Sequence, residues 1–199
     1  LVVKAGSVVE EEGQQGLAHV IEHMAFNGTA HFAKQELVDY LESIGMRFGP
    51  DLNAYTGFDE TVYLLQVPTD SAGVMEQAFQ ILQDWAGGVS FAPEEVDLER
   101  GVVIEEWRGN RGAEARLLDR QLPVILKDSR YASRLPIGEK AVLDTFGREG
   151  LLRFYQRWYR PELMALVAVG DFDPLQVEEL IRTYLGQLPA SATPASPPS

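Results

Sequence analysis

Hydrophobic and polar positions change period repeatedly along these 199 residues, and each change marks an element. Leu1-Val2-Val3-Lys4-Ala5-Gly6-Ser7-Val8-Val9 is an apolar, β-branched run that predicts a strand over 1–9. An acidic, glycine-containing turn from Glu10 to Gly16 leads into a helix at about 16–27, which Asn27-Gly28 ends with a C-cap. Lys34 to Ile44 has Leu37, Leu41 and Ile44 at helical spacing and stops at Gly45. Two strands near 46–57 and 60–68 follow, joined by a Phe58-Asp59-Glu60 turn. The second, Thr61-Val62-Tyr63-Leu64-Leu65-Gln66-Val67, has the β-branched and aromatic content of a strand.

Pro68 closes that strand, and Ser71 to Trp85 reads as a helix with Met75, Phe79 and Leu82 facing a core, ended by Gly87-Gly88. Pro93-Glu94-Glu95 opens another helix, with proline near N1 and acids in the first turn, running through Glu106 toward Gly109. Helices near 113–127, 139–145 and 147–158 come next. A strand over 163–169 and a helix from Pro174 to Leu185 complete the pattern. Strands and helices interleave without a strict βαβ rhythm, so the expected fold class is α+β: a mixed, mostly antiparallel sheet packed on one face by helices.

Composition narrows the function classes. A hydrophobic fraction of 45% suffices for one core, expected over 1–187. Lys plus Arg is 17 and Asp plus Glu is 30, a net charge of −13 that disfavours nucleic acid and anionic lipid and suits basic peptides. There is no cysteine, so a transition metal would need His and carboxylate ligands. No apolar run approaches the ~18 residues of a membrane span. The Pro-, Ala- and Ser-rich stretch 188–199 reads as a linker to a following domain, and the opening on a strand suggests a cut within a longer protein.

Candidate chemistry concentrates in His19-Val20-Ile21-Glu22-His23. On a helix, positions i and i+4 lie one turn apart on one face, so the two imidazoles converge as the first two nitrogen ligands of tetrahedral zinc must. Glu22 projects to the same side, and HxxEH is the inverted form of the HExxH zinc-peptidase helix. Two histidines on a solvated helix face are the bland alternative. His31, the third histidine, follows a turn and reads as a structural or exposed residue. A third ligand would therefore be a carboxylate. Glu94, Glu95, Asp97, Glu99, Glu105 and Glu106 all lie on one helix; Glu99 and Glu106 share a face, Glu105 is rotated by ~100°, and spacing does not choose among them.

HxxEH followed by Glu99-Arg100-Gly101-Val102-Val103-Ile104-Glu105-Glu106 resembles the pitrilysin/insulinase family of inverzincin zinc metallopeptidases, relatives of the mitochondrial processing peptidases. Phe26-Asn27-Gly28-Thr29, Asn53-Ala54-Tyr55-Thr56 and Leu135-Pro136-Ile137-Gly138 fit the same family, so the resemblance covers about residues 1–187. It implies a metallopeptidase half-domain of the mitochondrial-processing-peptidase-like fold. It implies Zn2+ held by His19, His23 and Glu106, Glu22 as general base, and Glu99 as a nearby acid orienting a ligand histidine. The 82 residues between His23 and Glu106 exceed the spacing in many relatives, which points to a longer excursion around Met46 to Asp51 and leaves Glu105 or Glu99 as alternative ligands.

The resemblance further implies that a peptide or unfolded polypeptide adds as a strand along Asn53, Ala54 and Tyr55, and that Phe26 lines a side-chain pocket. Ordinary packing is the alternative for Phe26 and Tyr55. It implies a second homologous domain or subunit that closes the site, so that this stretch alone is weakly active or inactive, and it favours a bacterial periplasm or cell envelope. A zinc endopeptidase is the leading function. A non-catalytic homologue serving as a binding or scaffold module, and a zinc-stabilised structural domain, are the competing classes.

Overall fold

The structure, a computed structural model, describes residues 1–47, 49–71 and 73–190. Four short strands form one sheet: β1 (Val2–Val3), β2 (Leu52–Thr56), β3 (Thr61–Leu65) and β4 (Met164–Ala165), in the order β2-β3-β1-β4. Every pairing is antiparallel, with Ala54 opposite Tyr63 and Val3 opposite both Thr61 and Met164. Directly opposed residues share a face. Leu52, Tyr63 and Val3 therefore turn inward, where they are buried, while Tyr55 and Leu64 on the other face are about half exposed.

The inward face is covered by helices, as expected for the α+β class. The helices are α1 (Leu17–Met24), α2 (Glu36–Ser43), α3 (Val74–Gly87), α4 (Pro93–Gly109), α5 (Ala113–Ile125), α6 (Lys140–Leu143), α7 (Arg148–Trp158) and α8 (Pro174–Tyr184). Side chains from Leu1 to Leu188 join one hydrophobic core. No described helix is long and apolar enough to cross a membrane. Residues 191–199, most of the predicted linker, lie outside the described residues, as do Phe48 and Ala72, which fall in the predicted first hairpin strand and third helix.

Two predicted strands are much shorter than their apolar runs. The opening strand is two residues long because Gly6 lies against the β2–β3 turn. A Cβ there would sit 2.4 Å from the Gly57 carbonyl oxygen, and the chain turns away through a 3-10 segment, Ser7–Val9. Val8 N–H donates to the Phe58 carbonyl and Ser7 Oγ to the Arg134 carbonyl, so this loop docks instead of extending. The predicted strand 163–169 pairs only at Met164 and Ala165, opposite Val3 and Val2. Beyond them Val167 and Val169 are exposed, since hydrophobicity alone does not make a strand without a neighbouring ladder. Residues 49–51 form a turn instead of a strand, with Gly49 at φ 95° and Asp51 N–H donating to the Arg47 carbonyl.

α1 occupies the centre. Leu17, Ala18, Val20, Ile21 and Met24 are buried against the sheet, α4 and α7. Its N-terminus receives the buried Glu10 carboxylate, which accepts from Gly16 N–H at 3.0 Å and Ala18 N–H at 2.9 Å, satisfying donors that a helix start leaves unpaired. Gly16 and Gly138 both have positive φ and touch: a Cβ on Gly138 would lie 2.5 Å from the Gly16 Cα. That contact lays the Leu135–Gly138 segment across the start of α1.

Trp85 sits beneath the other end of α1. It is fully buried, stacks on Tyr63 at 5.2 Å between ring centroids, and donates from Nε1 to the Ala25 carbonyl at 3.1 Å. Trp85→Ala is expected to lower the unfolding free energy by about 3–5 kcal/mol, read as a decreased midpoint in urea-induced unfolding; an unchanged midpoint would contradict this packing.

Candidate metal centre

The helical spacing of His19 and His23 brings their Nε2 atoms to 3.1 Å, with the rings edge-on at 85°. α4 crosses α1 and delivers Glu106, whose Oε2 lies 3.5 Å from both Nε2 atoms. Among the described residues these three form a group whose donor atoms lie within 4.8 Å of one another, and no other His, Cys or carboxylate cluster has that character. Two ligands at a zinc-to-nitrogen distance of ~2.0–2.1 Å and a tetrahedral angle stand about 3.3 Å apart, so the observed 3.1 and 3.5 Å separations fit one zinc ion with little rearrangement. The donor set of two imidazoles and one carboxylate suits the same metal.

Glu99, two turns before Glu106, accepts from His23 Nδ1 at 2.7 Å. That bond places the proton on Nδ1 and turns the Nε2 lone pair toward the other donors. Glu105 is carried to the exposed side of α4, where it pairs with Arg108, so the helix rotation that separates it from Glu106 removes it from the group. Glu95 pairs with Lys34. His31 also lies outside the group: its Nδ1 bonds the buried carboxylate of Asp84 at 2.7 Å.

Glu22 turns to the same cluster, buried, and Oε2 accepts from Thr56 Oγ1 at 2.6 Å. Thr56 occupies the inward face at the end of β2 beside the turn into β3, the position from which a short hydroxyl side chain meets α1. The four groups titrate differently. Burial pushes His19 down to about 4, assisted by neighbouring His23 and opposed by Glu99, so its ring is neutral and free to ligate at neutral pH. Burial disfavours the proton on His23 as well, but the hydrogen bond and charge of Glu99, followed by the charges of Glu22 and Glu106, outweigh it and raise its value. Glu99 is held below the usual carboxylate range: burial opposes this, and the His23 and Asn27 contacts overcome it. Burial raises Glu22, with the Glu106 charge adding to the effect and the Thr56 bond opposing it.

The group opens into a cleft of about 390 Å³ lined by His19, Glu22, His23, Ala54, Tyr55, Thr56, Glu106, Asn110, Pro136 and Ile137. Ala54 and Tyr55 of the predicted substrate strand thus border the cleft, on β2, an outer strand of the sheet. Asn53 sits next to them, exposed, its Oδ1 accepting the Ala54 N–H at 2.9 Å. Phe26 is not among the lining residues; its ring packs edge-on to Trp85 at 5.5 Å, against the core. Sequence reading gave Asn27 only a helix C-cap role and assigned no site role to Thr56, Asn110, Pro136 or Ile137. Thr56 and Asn27 stood inside quoted motifs, but the partner that gives each its role is 34 and 72 residues away.

The insulinase family model (peptidase family M16) matches residues 1–129, and the model of the M16 inactive domain matches residues 145–199. Over 199 residues the chain is 43% identical to a zinc protease PQQL-like protein of Arabidopsis thaliana, covering all of this chain and 21% of the relative. It is 40% identical over 191 residues to the probable zinc protease PqqL of Escherichia coli (strain K12), covering 96% of this chain and 20% of the relative. The chain therefore spans about a fifth of the length of these relatives. The crystal structure of the first half of the periplasmic protease PqqL from Escherichia coli superposes with a TM-score of 0.93 at 39% identity, over 98% of this chain and 42% of that one.

One zinc ion per chain is the expected stoichiometry by elemental analysis. His23→Ala and Glu106→Ala should each release it under dialysis conditions where the parent retains it; retention by either variant would exclude that side chain as a ligand.

Proposed function

The chain belongs to the insulinase family of peptidases, peptidase family M16, and we propose that it is the zinc-binding domain of an endopeptidase that cleaves peptides or unfolded polypeptide segments. The observation that carries this reading is the convergence of His19, His23 and Glu106, with Glu22 facing the same cleft. His19, His23 and Glu106 would hold zinc. Bound there, the metal supplies a Lewis acid that acidifies a water molecule and polarises a peptide carbonyl.

The chain's own groups supply the rest. Glu22 is the general base: it takes a proton from the attacking water and returns it to the leaving amine. Its proton affinity is raised, chiefly by burial, which makes it the stronger base toward the attacking water. Thr56 donates to Oε2 of Glu22 and leaves the other oxygen available to the attacking water. Glu99 holds the His23 ring through Nδ1 and keeps it from rotating away from the cluster.

A substrate strand aligned along β2 would meet Ala54 and Tyr55 at the cleft. Ladder bonds pair the carbonyl of Asp51 with the N–H of Gln66 and the N–H of Gly57 with the carbonyl of Glu60. By antiparallel alternation the backbone groups of Ala54, midway between, point away from β3 toward the free edge. An extended peptide would take those groups, displacing the Asn53 side chain from the Ala54 N–H. Phe26, packed on Trp85, contributes to this wall through the core and not by contact.

Glu22→Gln is expected to keep its zinc and lose hydrolysis by about 10²–10⁴-fold, measured with a quenched fluorescent peptide beside a metal assay; full activity in the variant would remove Glu22 from the mechanism. Residues 1–199 expressed alone should bind zinc yet cleave peptides far more slowly than the intact protein, since a second homologous domain is proposed to close over the cleft. Equal rates would refute the need for that domain.

A further inference from the structure

We propose that Asn27 is a positioning residue for the metal centre, acting through Glu99 on His23. This rests on the reading of His19, His23 and Glu106 as zinc ligands. Asn27 Nδ2 donates to Glu99 Oε2 at 2.6 Å, while Oε1 of the same carboxylate binds His23 Nδ1 at 2.7 Å. The His23 carbonyl is a second, longer acceptor for the same Nδ2, at 3.4 Å. Both neighbours are acceptors, which fixes the amide orientation with its NH2 toward them.

The need for such a hold follows from the carboxylate. The terminal torsion of a glutamate is broad, so a bond to one oxygen leaves the plane free to swing. Bonds to both oxygens fix the plane, and with it the imidazole. Among the described residues Asn27 is the hydrogen-bond donor to Oε2. A neutral amide does this without cancelling the negative charge that Glu99 directs at His23. The backbone of Asn27 is itself immobilised. Its N–H donates to the Met24 carbonyl at 3.0 Å, closing the last turn of α1. Gly28, at φ 116°, accepts on its carbonyl from Ser90 N–H at 3.1 Å and Ser90 Oγ at 3.0 Å. Ser90 lies just before Pro93, where α4 begins, so one clamp joins the end of the histidine helix to the start of the helix that carries Glu99 and Glu106.

The test compares Asn27→Ala, the isosteric Asn27→Asp, Glu99→Gln and His23→Ala with the parent, in the intact protein, by competition for zinc with a chromophoric chelator. Both Asn27 variants should bind zinc about tenfold more weakly or worse, with the thermal midpoint of the metal-free protein unchanged and, at saturating zinc, kcat lowered and KM retained. Zinc affinity within about twofold of the parent in both Asn27 variants, while Glu99→Gln binds more weakly, would overturn the role of Asn27 alone. The same holds if the metal-free midpoint falls and zinc affinity does not, which would make Asn27 a helix cap. His23→Ala binding zinc as tightly as the parent would overturn the metal centre itself, and the relay with it.

Discussion

The geometry of the proposed metal site depends on how α1 is held between the sheet and α4. A helix of eight residues has little stability of its own, yet it must present two imidazoles to a carboxylate on another helix with an error of a few tenths of an ångström. It is fixed at both ends by hydrogen bonding and along its length by burial. At its start, Glu10 places a carboxylate on the free N–H groups of the first turn. Arg130 and Arg134 in turn donate to the Glu10 carbonyl, strapping that loop to the segment after α5. At its end, Trp85 takes the Ala25 carbonyl. Each fastening uses groups that a helix terminus would otherwise leave unsatisfied, so local satisfaction and site geometry are achieved by the same bonds.

Within this frame, three carboxylates and two imidazoles share a small volume, and their differences in burial and contact sort them into roles. Glu99 is paired with a histidine and an amide and stays ionised. Glu22 is the most enclosed of the acids, and burial raises its proton affinity although the Thr56 hydroxyl, its hydrogen-bond partner among the described residues, opposes the rise. Glu106 is the most open, its side chain 40% exposed, and borders the cleft. A divalent cation among these groups offsets charge that would otherwise be mutually repulsive. That such a concentration of acids is folded into one place is itself an argument for a cation there, because acids without one would be expected to spread over the surface as Glu94 and Glu105 do.

Much of this was legible in the chain. The i, i+4 spacing of His19 and His23 gave the pairing on helical geometry alone, and the helix from Pro93 was visible in its proline start and acidic first turn. The choice among the acids of α4 was not legible in spacing, because Glu99 and Glu106 share a face and the crossing of α1 over α4 decides which meets the two Nε2 atoms; only the family resemblance pointed to Glu106. Strand ends failed for a related reason. Residues 1–9 and 163–169 have strand composition, but pairing needs a partner, and Gly6 meeting the β2–β3 turn and the two-residue length of β1 are facts of tertiary structure. Thr56 and Asn27 were missed because a side chain that acts through a hydrogen bond to a distant residue has no periodic signal.

The same arrangement separates two tasks that the family performs together. Every proposed metal ligand, with Glu22, Glu99 and Asn27, comes from α1, its C-terminal turn and α4, and these share one core with the sheet. Assembly of the metal centre therefore requires nothing beyond that core. The cleft is different. Its floor is the His19, His23 and Glu106 group and its walls are the edge of β2 and the Pro136-Ile137 segment, which is set against α1 by the contact of Gly138 with Gly16. In the proposed enzyme a peptide would be oriented along the β2 edge by main-chain bonds, with Tyr55, Asn110, Pro136 and Ile137 lining the cleft beside its side chains. The chemistry would then belong to this domain, and the choice of substrate would be shared between these lining residues and the domain proposed to close the other side.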